Sequence, residues 1–124
     1  MDSSQYFYRN VVFTRRNGKV ALADIHNPDH TTELEDWLGL VISLADGKHT
    51  LQQLSEFIAT QYPASVPVNL QDTIESVIQR LTEGELIKLT DQPVELPYYL
   101  SQPIEQLNPE VAKRKMHEDG YTQH

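Results

Sequence analysis

The chain has 124 residues, 39% of them hydrophobic, enough for one small domain with a core thinner than an enzyme's. It has no cysteine, which excludes structural disulfides, thiolate nucleophiles and cysteine-based zinc sites. A net charge of −8 disfavours nucleic acid. No apolar run nears the ~20 residues of a membrane span, and no signal segment is visible, so a cytoplasmic protein with no nucleic-acid or membrane partner is expected.

The charge is uneven. Arg9, Arg15, Arg16 and Lys19 crowd the first twenty residues, opposed there only by Asp2, while acids dominate from Ala21 to Leu107. Gln5 to Thr14 is aromatic and β-branched and reads as a strand. Asn17-Gly18 is a two-residue hairpin turn. Lys19 to His26 alternates, with Val20 and Leu22 on one face and Ala21, Ala23 and Ile25 on the other, and makes the second strand. Asn27-Pro28-Asp29 reads as a turn, and His30 to Leu34 as a short third strand.

Three helices follow. Asp36 to Ala45 carries Trp37, Leu38, Val41, Ile42 and Leu44 at helical spacing, and Asp46-Gly47 is expected to stop it. Trp37 reads either as core or as a partner's anchor. Thr50 with Gln53 forms a capping box for a second helix, whose buried face is Leu51, Leu54, Phe57 and Ile58. That helix should end near Tyr62-Pro63, with a loop from Ala64 to Pro67. Asn69 caps a third helix with Leu70, Ile74, Val77, Ile78 and Leu81 inward, ended by Gly84. Leu86 to Leu89 is a short extended exit. The expected fold is α+β: a winged-helix-like domain over residues 1–89, with a three-stranded antiparallel sheet followed by three helices.

Residues 90–124 read as an irregular, proline-containing C-terminal extension with a short helix over 109–118, capped by Asn108 and led by Pro109. This extension reads as a mobile tail, as a fourth strand at Val94 to Leu100, or as a docking arm through Lys113, Arg114 and Lys115.

Chemistry-bearing patterns are scarce. His26 and His30 flank Pro28, which prevents a helix that would align them, so no metal is expected. No phosphate loop or hydrolase motif occurs and no carboxylate pair is set in an apolar pocket, so no catalytic residues and no cofactor are expected.

The run Leu34…Val41-Ile42…Leu44-Ala45-Asp46-Gly47…Thr50-Leu51…Leu54, then Tyr62-Pro63, then Ile74…Val77-Ile78…Leu81…Gly84-Glu85-Leu86-Ile87 resembles the PqqD-like family. These are peptide chaperones and precursor-recognition elements (RREs) of RiPP and peptide-derived cofactor biosynthesis. The resemblance covers roughly 11–89 and departs where the family commonly has Asn after Leu34: here Glu35 follows, leaving Thr32 or Asp36 to cap. It implies a non-catalytic accessory subunit. Such a subunit would bind the leader of a ribosomally made precursor peptide by strand addition. It would then present that peptide to a modifying enzyme such as a radical-SAM protein.

The leader would lie in a groove between the third strand and the third helix. An exposed edge offers unpaired N–H and C=O groups to a guest strand. The candidate edge is His30, Thr31, Thr32, Glu33 and Leu34, a stretch with no Lys or Pro to blunt it. Leu70, Thr73, Ile74 and Val77 would wall the groove, and Arg80 would pair an acidic leader residue. For the aliphatic members plain core packing is the competing reading. Arg9, Arg15, Arg16 and Lys19 would steer an acidic leader, or simply be solvated. A free edge also admits a homodimer. The alternative function is a winged-helix DNA-binding regulator, which Asp72, Glu75 and Glu83 against Arg80 alone disfavour.

Overall fold

Backbone pairing sorts six strands into two antiparallel three-stranded sheets, described here from a computed structural model over residues 2–61 and 68–121. The first sheet has the order β5-β1-β6, with β1 Tyr6–Arg9, β5 Asp46–Thr50 and β6 Ile87–Thr90. The second has the order β2-β3-β4, with β2 Phe13–Arg16, β3 Lys19–Asp24 and β4 Asn27–Glu33. Five α-helices accompany them: α1 Asp36–Leu44, α2 Leu51–Ala59, α3 Leu70–Glu83, α4 Tyr98–Ser101 and α5 Pro109–Asp119. The fold is α+β, but a single sheet followed by three helices is not what forms.

The difference begins at Asn10-Val11-Val12. The expected first strand breaks there, because Val11 is buried in one core and Val12, its neighbour, in another. The Asn10 N–H turns to the Leu86 carbonyl (2.9 Å) while the Val12 carbonyl accepts from Ala23 (3.0 Å), so the chain passes from one sheet to the other. A second correction concerns Asp46-Gly47. α1 stops at Ala45 as expected, but Asp46–Thr50 is more than a helix stop: it extends as β5 and pairs with β1. Gly47 keeps its positive φ of 81°, and a Cβ there would lie 2.6 Å from both Val94 Cγ2 and the Val94 carbonyl oxygen.

Several local expectations hold. Asn17 and Gly18 both have positive φ, as a type I′ hairpin turn requires. The Thr50–Gln53 capping box is closed in both directions. Asn69 precedes α3 without a side-chain cap. Glu35, not Thr32 or Asp36, occupies the cap position of α1, also without a side-chain bond. Gly84 is right-handed. The left-handed residue that ends α3 is Glu85 (φ 60°), with Leu86 N–H returning to the Leu81 carbonyl and Glu85 N–H to Thr82. Phe57, expected inward on α2, is 42% exposed. Tyr62-Pro63 and the loop at 64–67 lie outside the described residues.

The alternation along β3 decides where the two cores sit. Val20 and Leu22 face the larger core, which Phe7, Phe13, Ile87 and the inner faces of α1, α2 and α3 complete. Ala23 and Ile25 face a smaller core with Val12, Tyr99, Leu100, Ile104, Leu107, Ala112 and Met116. The segment after Thr90 is therefore packed, not a loose tail. Asn108 caps α5 by accepting from Glu110 N–H (3.0 Å) and Val111 N–H (3.2 Å), with Pro109 at the first position. Val94 N–H donates to the Gly47 carbonyl (3.0 Å), and the Tyr121 hydroxyl to the Asn10 carbonyl (2.7 Å).

Candidate functional site

The strand expected at His30 to Leu34 is longer and starts earlier than its composition suggests. β4 runs from Asn27, and the turn before it is Ile25-His26 rather than Asn27-Pro28-Asp29. Proline within a strand is tolerated on an edge, where its missing N–H removes no ladder bond, and β4 is the outer strand of its sheet. Its register against β3 is Ala21↔Glu33, Leu22↔Thr32 and Ala23↔Thr31, then Asp24↔Asn27. Residues 28–30 thus bulge out of the ladder, and Thr31, Thr32 and Glu33 form the regular, exposed portion of the edge.

The opposite edge of this sheet is closed. The Glu105 carboxylate accepts from the Thr14 hydroxyl, the Arg15 N–H (3.0 Å) and the Arg16 guanidinium (2.8 Å). Partial burial pushes this carboxyl up, but the three donors outweigh that and hold it down at about 2. On the first sheet, Val94 occupies the flank of β5 through its bond to Gly47.

A cleft of about 580 Å³ surrounds the free end of β4. The paired register sorts its walls. Thr31 and Glu33 share a face with Ala21, Thr14, Arg16 and Lys19, the face on which Glu105 of the C-terminal segment meets Thr14 and Arg16. On the other face Gly39, Leu40 and Ser43 of α1 stand over Arg15 and Val20. Gly39 makes this approach close: a Cβ there would sit 3.1 Å from Val20 Cβ. Leu34, Glu35 and Asp36 bridge β4 to α1 at the cleft mouth.

The residues singled out from the sequence separate into three groups. Thr31, Glu33 and Leu34 line the cleft together with Arg15, Arg16 and Lys19; His30 and Thr32 lie exposed on the same strand. The helix that walls this cleft is α1, not α3. Leu70, Ile74 and Val77 are buried in the larger core, Thr73 donates its hydroxyl to the Asn69 carbonyl (3.1 Å), and Arg80 is exposed on α3. None of these five contributes to the cleft.

Arg9 departs furthest from expectation. It is 3% exposed. Its Nε donates to the Leu100 carbonyl (2.7 Å), Nη1 to Ile42 (2.9 Å) and Ser43 (3.3 Å), and Nη2 to Ser101 (3.0 Å), and the guanidinium lies 4.5 Å over the Phe13 ring. Burial pushes its pKa down to about 10, with Asp46 opposing, so it stays charged at neutral pH. It satisfies the last carbonyls of α1 and α4, where helix dipoles favour a cation, and cannot reach an approaching ligand. Arg15 spends its guanidinium on the Ser43 hydroxyl and the Phe13 ring, and Arg16 on Glu105, which leaves Lys19 exposed at the hairpin tip.

Trp37 is half-buried against the larger core. Among the described residues no group of three or more potential metal ligands occurs, and no helix is long and apolar enough to cross a membrane. No protein family, no characterised protein and no solved structure matches the chain.

Proposed function

We propose that this protein is a non-catalytic peptide-recognition module that takes an extended guest chain at the edge of β4. Its guest would be the leader of a ribosomally made precursor, which it presents to a partner modifying enzyme. The observation that carries this reading is a regular, exposed edge at Thr31–Glu33 beside a cleft, on a sheet whose opposite edge is stoppered by Glu105. A guest strand gains main-chain hydrogen bonds there, and alternate side chains find the two faces of the cleft.

The leader and the modifying enzyme rest on the PqqD-like residue pattern, in which Asp46-Gly47, Thr50-Leu51 and Gly84-Glu85-Leu86 are the recognisable marks. The order α1-β5-α2-α3-β6, with β1 from the other end of the chain as the central strand, supports a winged-helix-like reading. We read it as such a frame turned to peptide. DNA is a poor ligand for it, because the exposed side of α3 carries Asp72, Glu75 and Glu83 against Arg80.

The test is a titration of ¹⁵N-labelled full-length protein with the short peptide encoded beside its gene. Amide shifts confined to β4 and the start of α1, abolished when alternate guest amides are N-methylated, are expected. Affinity should be on the order of 10⁻⁶ M, a free energy of about −8 kcal/mol. Shifts confined to α3, or indifference to N-methylation, would overturn strand addition.

A further inference from the structure

Resting on that reading, the structure assigns a sign to the guest: the strand that adds to β4 is cationic, with Lys or Arg facing Glu33 and the start of α1. The charges nearest the open edge decide this. Glu33 closes the regular part of β4, and Glu35 and Asp36 follow at the cleft mouth; all three are exposed. Among the described residues none of them is held in an ion pair. A guest residue directly opposite Glu33 stands ~5 Å from it between Cβ atoms, and a diagonal one ~7–8 Å, both within reach of a lysine or arginine.

The basic residues that would favour an acidic guest sit elsewhere. Lys19 belongs to β3, one strand further from the incoming chain, opposite Arg16. Arg16 is paired with Glu105, Arg15 is turned to Ser43, and Arg9 is buried. The edge therefore repels acid and attracts base at the distances that strand pairing sets. The same charges guard against self-association. Two β4 strands paired antiparallel would bring Asp29 and Glu33 of each copy against the other's acids, and the bulge at 28–30 shortens the matching run. A second copy is therefore a worse occupant than a basic peptide.

Three fluorescein-labelled ten-residue peptides of alternating Val and polar residues, with Lys, Ser or Glu at the polar positions, distinguish the possibilities. They are titrated into the full chain by anisotropy, with β4 amide shifts recorded in parallel. The Lys peptide should bind at least tenfold tighter than the Ser peptide, and the Glu peptide weaker than either. The Lys preference should fall with added salt, and E33K/E35K should reverse it. If the Ser or Glu peptide binds β4 as well as the Lys peptide, the cationic guest is overturned while strand addition stands. If none of the three shifts the β4 amides at millimolar peptide, both fall. If the Lys peptide binds but its affinity is unchanged in E33K/E35K, the assignment to this edge is wrong.

Discussion

At the scale of single residues, position in the fold outweighs chemical type. Arg9 reads in the sequence as one of four cations on a basic lobe, yet it is the one that the alternation of β1 turns inward with Phe7. That alternation was visible in Tyr6-Phe7-Tyr8-Arg9, but an arginine on the inner face is not anticipated without knowing that two helix C-termini converge there. Arg9→Met should destabilise the protein by about 3 kcal/mol, because four carbonyls lose a charged donor and two of them, Ile42 and Leu100, are buried. Urea denaturation measures this, and a loss under 1 kcal/mol would contradict the role. Glu105 gives the pH prediction. Its carboxyl sits at about 2 in the fold against an ordinary value of 4.5. The unfolded chain therefore binds its proton first on acidification, so the stabilisation is complete above pH 4.5 and drains away as pH falls towards 2. Since its side chain is 32% exposed, the effect is about 1 kcal/mol after solvent screening. Glu105→Gln should lose that stability at pH 7 and show a flatter acid limb in urea midpoints taken from pH 6 to pH 2.

Elements were legible where local chemistry alone sets them and misread where a distant partner does. The type I′ turn, the Thr50–Gln53 box and the Asn108-Pro109 start of α5 are short-range and formed as expected. β5 was missed because Asp-Gly after an apolar helix reads as a stop. What makes Asp46–Thr50 a strand is β1, nearly forty residues earlier in the chain. β4 was shortened for a similar reason: Pro28 reads as a turn unless the strand is known to be an edge. The glycine at 84 pointed to the end of α3, but Glu85 adopts the left-handed conformation, one position later. Gly47 carries the firmest prediction at this scale. Gly47→Ala adds a strained positive φ and a Cβ 2.6 Å from the Val94 carbonyl, so it should cost more than 2 kcal/mol. Thermal melts check this; a drop of less than about 4 °C would argue that β5 and the 94–96 segment are not coupled.

For the whole molecule, the segment after Thr90 changes from appendage to structural half. Tyr99, Leu100, Ile104, Leu107 and Met116 are each under 10% exposed. At ~2 kcal/mol for each buried side chain, their removal forfeits on the order of 10 kcal/mol, comparable with the entire stability of a domain this size. Truncation after Thr90 should therefore yield a chain without a cooperative melt in circular dichroism; a sharp transition would show that the larger core suffices alone. The candidate site was half legible in the same sense. Period-2 patterning and the hairpin located β4 and the basic tip, while the wall of the cleft depends on Gly39 admitting α1 against Val20, a long-range packing fact that no local pattern encodes.

The middle strand of the first sheet is contributed by residues 6–9, and one of its neighbours is not made until residues 87–90. On the ribosome, residues 6–9 must wait, unpaired along one flank, until residues 87–90 have been synthesised. Such sequence-distant closure is slow, and some eighty residues must be added after Phe7 before its cross-strand neighbour Leu89 exists.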